Sequence, residues 1–372
     1  MPYRSIIVVC ALGLLTSSIS ARAAAPASQP SADAWPLYQR AIARVLGGHT
    51  AGIYSPAESN LVYAEYPPYP PQWHQLENSA YEFNATAFAK ARAARSRDIA
   101  NWPALQRDAA GRIDMSYING CRALANEVAD AALQEHLRGD DAAAIERFKD
   151  LLHLADLLDG PRDPKIIRSL VAIGVRAVAM SRMEVIIADV ALTTDPADKK
   201  ELQVATATDL IRQVFNVNDA AQRYENLFRK SQAEEQWTTA HRDRAVVQLH
   251  RAQMEMNLAA MSLACHLFRL DKHRWPATVE DVTTYLPARP RDAWGPMGYV
   301  VVRLDQPGAP ERPLVYSRCD ANGELFYPTN EPQYSWFPGV APNHKQGGQF
   351  RDVSCWVPAH PNPAPTTQPL GE

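Results

Sequence analysis

The chain has 372 residues, 46% of them hydrophobic, with 38 Lys and Arg against 41 Asp and Glu. That length supports two or three domains once a leader is set aside, and the mild acidity offers no basic face for nucleic acid or for an anionic membrane surface. Gly-x-Ser-x-Gly, Gly-x-Gly-x-x-Gly, the phosphate-binding loop, His-Glu-x-x-His and metal-spaced Cys/His clusters are all absent, so no familiar catalytic motif points to an enzyme.

The chain opens with Arg4, an apolar run over residues 6–15, and Ala21-Arg22-Ala23. A charged start, a short apolar core and small residues at a cleavage point predict a secretory signal peptide over residues 1–23. The alternative is an uncleaved anchor, although the run is short for a bilayer span. The leader carries two arginines and no acid, so its removal leaves 36 basic against 41 acidic residues, a net charge of −5.

Residues 25–34 read as a flexible lead-in. Residues 35–46 read as a helix, with Leu37, Ile42, Val45 and Leu46 on one side and Gly47-Gly48 as its stop. Residues 54–71 include Tyr66-Pro67-Pro68-Tyr69-Pro70-Pro71, which predicts an extended connector over the helical body; a ligand for a groove or an aromatic rim for a glycan is the functional alternative. Residues 78–96 and 102–110 read as helices. So does the alanine-rich stretch 121–137, which leads into Arg138-Gly139-Asp140-Asp141. There Gly139 suits a left-handed C-cap and an aspartate suits the N-cap of the next helix. Ala144, Ile145, Phe148, Leu151, Leu152, Ala155 and Leu158 form that helix's apolar stripe. The hairpin resembles one tetratricopeptide-like unit, without a repeat at that period elsewhere.

Residues 165–192 read as a central core helix. Arg168, Arg176, Arg182 and Glu184 interrupt it, so it is not a membrane span. Residues 193–195, before Pro196, predict the start of another helix, continuing over 199–215. A further helix starts near Asn218-Asp219 and runs polar to Arg244. Then Leu249, Ala252, Met256, Ala259, Leu263, Leu267 and Leu270 form one stripe, and Val247, Met254, Leu258, Met261, Ala264 and Phe268 a second. Two apolar faces predict a long helix buried on more than one side. Arg274-Trp275-Pro276 ends it, and Thr278 with Asp281 caps a short helix after it. Residues 299–302 and 314–316 read as paired strands around Pro307-Gly308. The tail from Pro358 is compositionally disordered.

Leu270-Asp271-Lys272-His273-Arg274-Trp275-Pro276 resembles the Leu-Asp-x-Gly-x-Tyr-Pro run that closes the long helix of the type II secretion major pseudopilin family. Pro290-Arg291-Asp292-Ala293-Trp294-Gly295 resembles that family's Pro-x-Asp-Pro-Trp-Gly turn, and Tyr299 its strand tyrosine. Residues 317–323 resemble its Ser-x-Gly-x-Asp-Gly loop, and Asp352-Val353-Ser354-Cys355-Trp356 its closing segment. The resemblance covers roughly a quarter of the chain. The family's membrane-spanning assembly helix has no counterpart here, so the resemblance implies a fold module rather than an activity. It also implies a calcium loop, with Asp320, Asn322, Glu324 and Asp352 as its oxygen ligands. Cys319 stands where the family has glycine, and the alternative is a solvated Asn-Gly turn. The order of leader, alanine-rich helical body and pseudopilin-like end also resembles certain exported bacterial proteins, from which no activity carries over.

Four cysteines follow the leader. Cys319–Cys355 is the favoured disulfide, because both lie in the small C-terminal module, where a crosslink offsets a thin core. Cys121 and Cys265 fall on helices and suit buried thiols, although four cysteines allow three connectivities.

Three polar groupings have the residue types of a site. Glu135, His136 and His153 could meet across the hairpin near Glu127 or Asp156. His241, Arg242 and Arg244 could line a cleft with Glu234 and Glu235. His266 and His273 share a face of the long helix but lack further ligands for a metal. Tyr327, Tyr334, Trp336 and Phe337 cluster as a recognition patch or as sheet packing.

The sequence therefore predicts a mainly α protein with a small α+β C-terminal module. The signal peptide is followed by an N-terminal antiparallel helical bundle of hairpins over 24–245, a pseudopilin-like module over 246–357 reached by a long connecting helix, and a tail over 358–372. The expected role is an exported, non-catalytic protein of the periplasm or cell surface that binds a protein partner or assembles with itself. No cofactor is expected beyond the possible calcium. The alternative is a periplasmic hydrolase or glycan-processing enzyme with an interdomain cleft.

Overall fold

The structure is a computed structural model. It describes residues 33–55, 69–106, 114–160, 166–215, 239–289, 298–303, 311–316 and 335–336. These residues are mostly α-helical. In chain order they form α1 (Trp35–Thr50), α2 (Pro71–Ala94), α3 (Ser116–Leu137), α4 (Asp141–Leu158) and α5 (Ile166–Asp189). Strands β1 (Leu192–Thr193) and β2 (Leu202–Gln203) follow, then α6 (Val204–Phe215), α7 (Thr239–Lys272) and the short α8 (Val279–Val282). Strands β3 (Gly298–Arg303), β4 (Glu311–Tyr316) and β5 (Ser335–Trp336) close the described chain. The leader (residues 1–23), the cysteines Cys319 and Cys355, the calcium set and the tail lie outside the described residues.

Helix α5 packs against α3, α4 and α7, and α1 packs against α2 and α3. Its sequence explains that central place, since Ala172, Val175, Ala179, Met180, Met183 and Ile186 all lie in the buried core. Helix α7 is buried continuously from Met256 to Phe268, so both of its apolar stripes are covered over that stretch. Val282, Leu286 and Val315 join the same core cluster. Strand β3 pairs antiparallel with β4, Tyr299 opposite Val315, and β4 pairs with β5.

Local punctuation follows the side chains. Gly139 has φ 75°, the left-handed position that lets α3 turn back into α4, and the Asp140 carboxylate accepts from the Ala143 N–H at 2.9 Å to cap α4. Thr278 and Asp281 form a capping box at the start of α8.

Four boundaries differ from the sequence reading. Helix α1 runs through Gly47-Gly48 to Thr50. Gly48 is not a stop but a close approach, since a Cβ there would meet the Phe83 ring at 2.8 Å. Helix α2 starts at Pro71 rather than near residue 78, because proline at the first helical position gives up an N–H that has no partner there. Residues 101–106 form no helix; Trp102 instead packs its ring between Trp35, Tyr38 and Tyr117 and donates Nε1–H to the Leu157 carbonyl at 2.9 Å. The region expected as a helix start at residues 193–201 is a parallel two-residue bridge, Leu192 opposite Leu202, around a loop held by Asp195 and Asp198. Aspartates that accept from nearby backbone N–H groups compete with helix formation.

Gly120 marks the closest approach of α1 and α3: a Cβ there would come within 2.4 Å of Ile42 Cγ2. Gly120→Ala gains at most about 1 kcal/mol of helix propensity, while overpacking a branched core side chain costs about 1–3 kcal/mol. The variant is expected to unfold at lower temperature than the parent by circular dichroism. An unchanged or higher melting temperature would show that the two helices separate freely.

Candidate functional site

The densest interior chemistry lies in a polar seam between α2 and α3. On α2, Glu77, Tyr81 and Asn84 fall at steps of four and three, with Asn78 next to Glu77; on α3, Glu127, Asp130 and Gln134 fall at steps of three and four, with Glu135 next to Gln134. Residues at these intervals share one helix side. Asn84 donates to Glu127 at 2.7 Å, Gln134 donates to the Asn78 carbonyl oxygen at 2.6 Å, and the Tyr81 hydroxyl donates to Glu135. Arg138, just past α3, also donates to Asn78 at 2.9 Å. From α5, Arg182 reaches Asp130 at 2.8 Å, and His49 of α1 stands 3.6 Å from Glu127.

Three carboxylates in this seam are almost fully buried: Glu77 and Asp130 at 1% exposure and Glu127 at 2%. Asp130 has Arg182. Glu77 Oε2 has no hydrogen-bond partner among the described residues. Burial, and then the neighbouring Asp130 and Glu127, push the Glu77 carboxyl well above the usual carboxylate range, against the pull of Arg182 and Arg138. The seam thus favours the protonated form of Glu77 beside two carboxylates, an arrangement suited to storing or donating a proton.

A second cluster ties α2 to α4. Arg92 meets Asp150 at 2.9 Å, and Arg95 meets Glu146 at 2.8 Å and Asp150 at 3.2 Å. Burial raises the Asp150 carboxyl although both arginines oppose it. Nearby, His153 Nε2 faces the Arg97 carbonyl at 2.9 Å and Nδ1 faces the Tyr38 hydroxyl at 2.8 Å. A carbonyl only accepts, so Nε2 carries the proton and Nδ1 accepts from Tyr38. Burial lowers the His153 pKa and keeps that neutral form.

The histidines and acids of the α3–α4 hairpin do not converge. Glu135 binds Tyr81, His136 pairs with Asp141 at 2.5 Å, Glu127 faces Asn84 and His49, and Asp156 binds Arg176 at 2.9 Å, while His153 turns to Tyr38. Each meets a different neighbour. His266 and His273 do line one cavity, with Arg269 between them. Among the described residues no group of three or more His, Cys, Asp or Glu is placed to hold a metal. Cys121 and Cys265 are buried free thiols. Glu234 and Glu235 lie outside the described residues, as do Asp320, Asn322, Glu324, Asp352, Tyr327, Tyr334 and Phe337.

Sequence reasoning did not single out Glu77, Asn84, Asp130, Gln134 or Arg182 as a site. The available signal was the matched spacing of amides and acids on two helices otherwise rich in alanine, with an arginine inside the most apolar helix. Such an arginine needs a buried acid. No family model matches the chain, and neither a curated protein nor a solved structure does. Among the described residues no helix is long and apolar enough to cross a membrane.

Proposed function

We propose that the chain is an exported, non-catalytic protein that binds a protein partner or assembles with its own copies, using a helical bundle as a rigid body and a pseudopilin-like module at its C-terminal end. The observation that carries this reading is how the interior charges are used. Arg92 and Arg95 tie α2 to α4, Arg182 ties α5 to α3, Arg176 ties α5 to Asp156 and Asp159, and Asn84 ties α2 to Glu127. Paired charges and amides at helix contacts fix one register at little gain in stability, which suits a platform that must keep its shape. His273, with φ 55°, stands where the pseudopilin family has glycine and takes a glycine-like conformation, which supports the fold resemblance.

Sedimentation velocity over a concentration series, with photo-crosslinking in the periplasm, tests this reading. Concentration-dependent association or a discrete crosslinked adduct is expected. A monomer at every concentration that forms no adduct would overturn it. The second reading, a hydrolase or glycan-processing enzyme, rests on the raised Glu77 carboxyl beside Glu127 and Asp130. It requires α2 to part from α3 before a substrate could reach them. Turnover of glycan or ester substrates that is lost in Glu77→Gln would establish it in place of the binding role.

A further inference from the structure

At the C-terminal end of α7, the residues that follow one another up one helix side are His266, Arg269, Leu270 and His273, and they face Val190 and Leu192 across an open cavity of about 370 Å³. One wall is therefore cationic or able to become so, and the rest is aliphatic. We infer that this cavity binds an organic carboxylate on an apolar stem, with Arg269 holding the anion and Val190, Leu192 and Leu270 receiving the stem.

Three observations converge. First, Arg269 is uncommitted. The neighbouring basic residues of the helix end have carboxylates: Lys272 meets Asp271 at 3.0 Å and Arg274 meets Asp281 at 3.7 Å. Among the described residues none reaches Arg269, whose guanidinium carbon stands over the Trp275 ring, 4.5 Å from its centroid. A guanidinium held over an aromatic ring keeps N–H donors for a carboxylate, which it can grip with two bonds. Second, the wall is pre-formed. Trp275 contacts both Arg269 and His266, with 5.3 Å between the His266 and Trp275 rings set edge to face. Third, His273 holds φ 55°, a conformation that glycine adopts without strain and histidine does not. Non-glycine residues in that region are kept where the side chain is needed.

The two histidines do not read as a metal pair, because an arginine stands between them. A second open cavity, at the start of α4, is a weaker anion site. The N–H of Ala142 already donates to the Lys200 carbonyl and that of Ala143 to Asp140.

The chemistry has two sources, a peptide C-terminus or a free alkanoic acid, and calorimetric titration of the full chain separates them. The probes are hexanoate, an acetylated peptide ending in Ala-Leu with a free carboxylate, and the same peptide amidated. At least one carboxylate probe is expected to bind and the amide not to. Binding by the peptide acid alone assigns a chain terminus; binding by hexanoate alone assigns a free acid. Arg269→Gln, at an exposed position, is expected to weaken binding about tenfold or more with an unchanged melting temperature. His273→Gly is expected to weaken binding while raising the melting temperature, a split that a merely structural histidine would not give. No saturable binding by either carboxylate, equal binding of the amide, or unchanged affinity in Arg269→Gln would overturn the assignment.

Discussion

Glu77→Gln is expected to be more stable than the parent at neutral pH and no more stable in acid. The carboxyl is buried, its second oxygen lacks a partner among the described residues, and Asp130 and Glu127 stand close, so the folded protein holds its proton to higher pH than the unfolded chain does. The folded state therefore binds more protons over the window above the ordinary glutamate range. In that window the parent loses stability as pH rises, by up to about 1.4 kcal/mol per pH unit for this one group. Glutamine fills the same space without a charge to ionise, so the variant is free of that slope. Denaturant titrations of both proteins from mildly acidic to mildly basic pH read the difference directly. Curves that stay parallel throughout would mean that water or a cation reaches the carboxyl.

Arg182→Met should produce the largest loss. Asp130 is 1% exposed and has Arg182 as its bridging cation, while Glu77 and Glu127 add negative potential around it. Methionine replaces much of the stem and none of the charge, taking from the buried Asp130 carboxylate the cation it has in Arg182, at a cost of about 3–5 kcal/mol. The loss should shrink in the double variant with Asp130→Asn. If Arg182→Met/Asp130→Asn is no more stable than the single variant, the pair is not what holds α5 to α3.

Much of the helical body could be read from local chemistry. The Gly139 turn, the Asp140 cap, the Thr278 capping box and the doubly buried α7 each follow from residues within one or two turns of each other. The misreadings share a cause, which is that the deciding partner is distant in sequence. Gly48 looked like a helix stop, but its role is set by Phe83 on α2. The segment around Trp102 looked helical, but its ring is placed by Trp35, Tyr38, Tyr117 and the Leu157 carbonyl. The α2–α3 seam was hidden in the same way. Glu77, Asn84 and Asp130 belong to no sequence motif, and with Glu127 they become a site when the two helices meet and Arg182 arrives from a third. The His266 and His273 pair was visible as a shared helix face, but the aliphatic floor from Val190 and Leu192 and the place of Arg269 over the Trp275 ring were not.

The two buried thiols turn the molecule into its own clock. Burial pushes the Cys121 thiol up to about 12 and raises that of Cys265 further still, so neither offers appreciable thiolate while its helix is in place. An alkylating reagent must then wait for each helix to open, and the rate of modification counts those openings. Cys121 reports on α3, beside the charged seam, and Cys265 on α7, beneath the carboxylate cavity. With excess reagent and peptide mapping, one sample is expected to return two separate opening frequencies. If α3 and α7 loosen only in global unfolding, the two sites will be labelled at the same rate at every temperature.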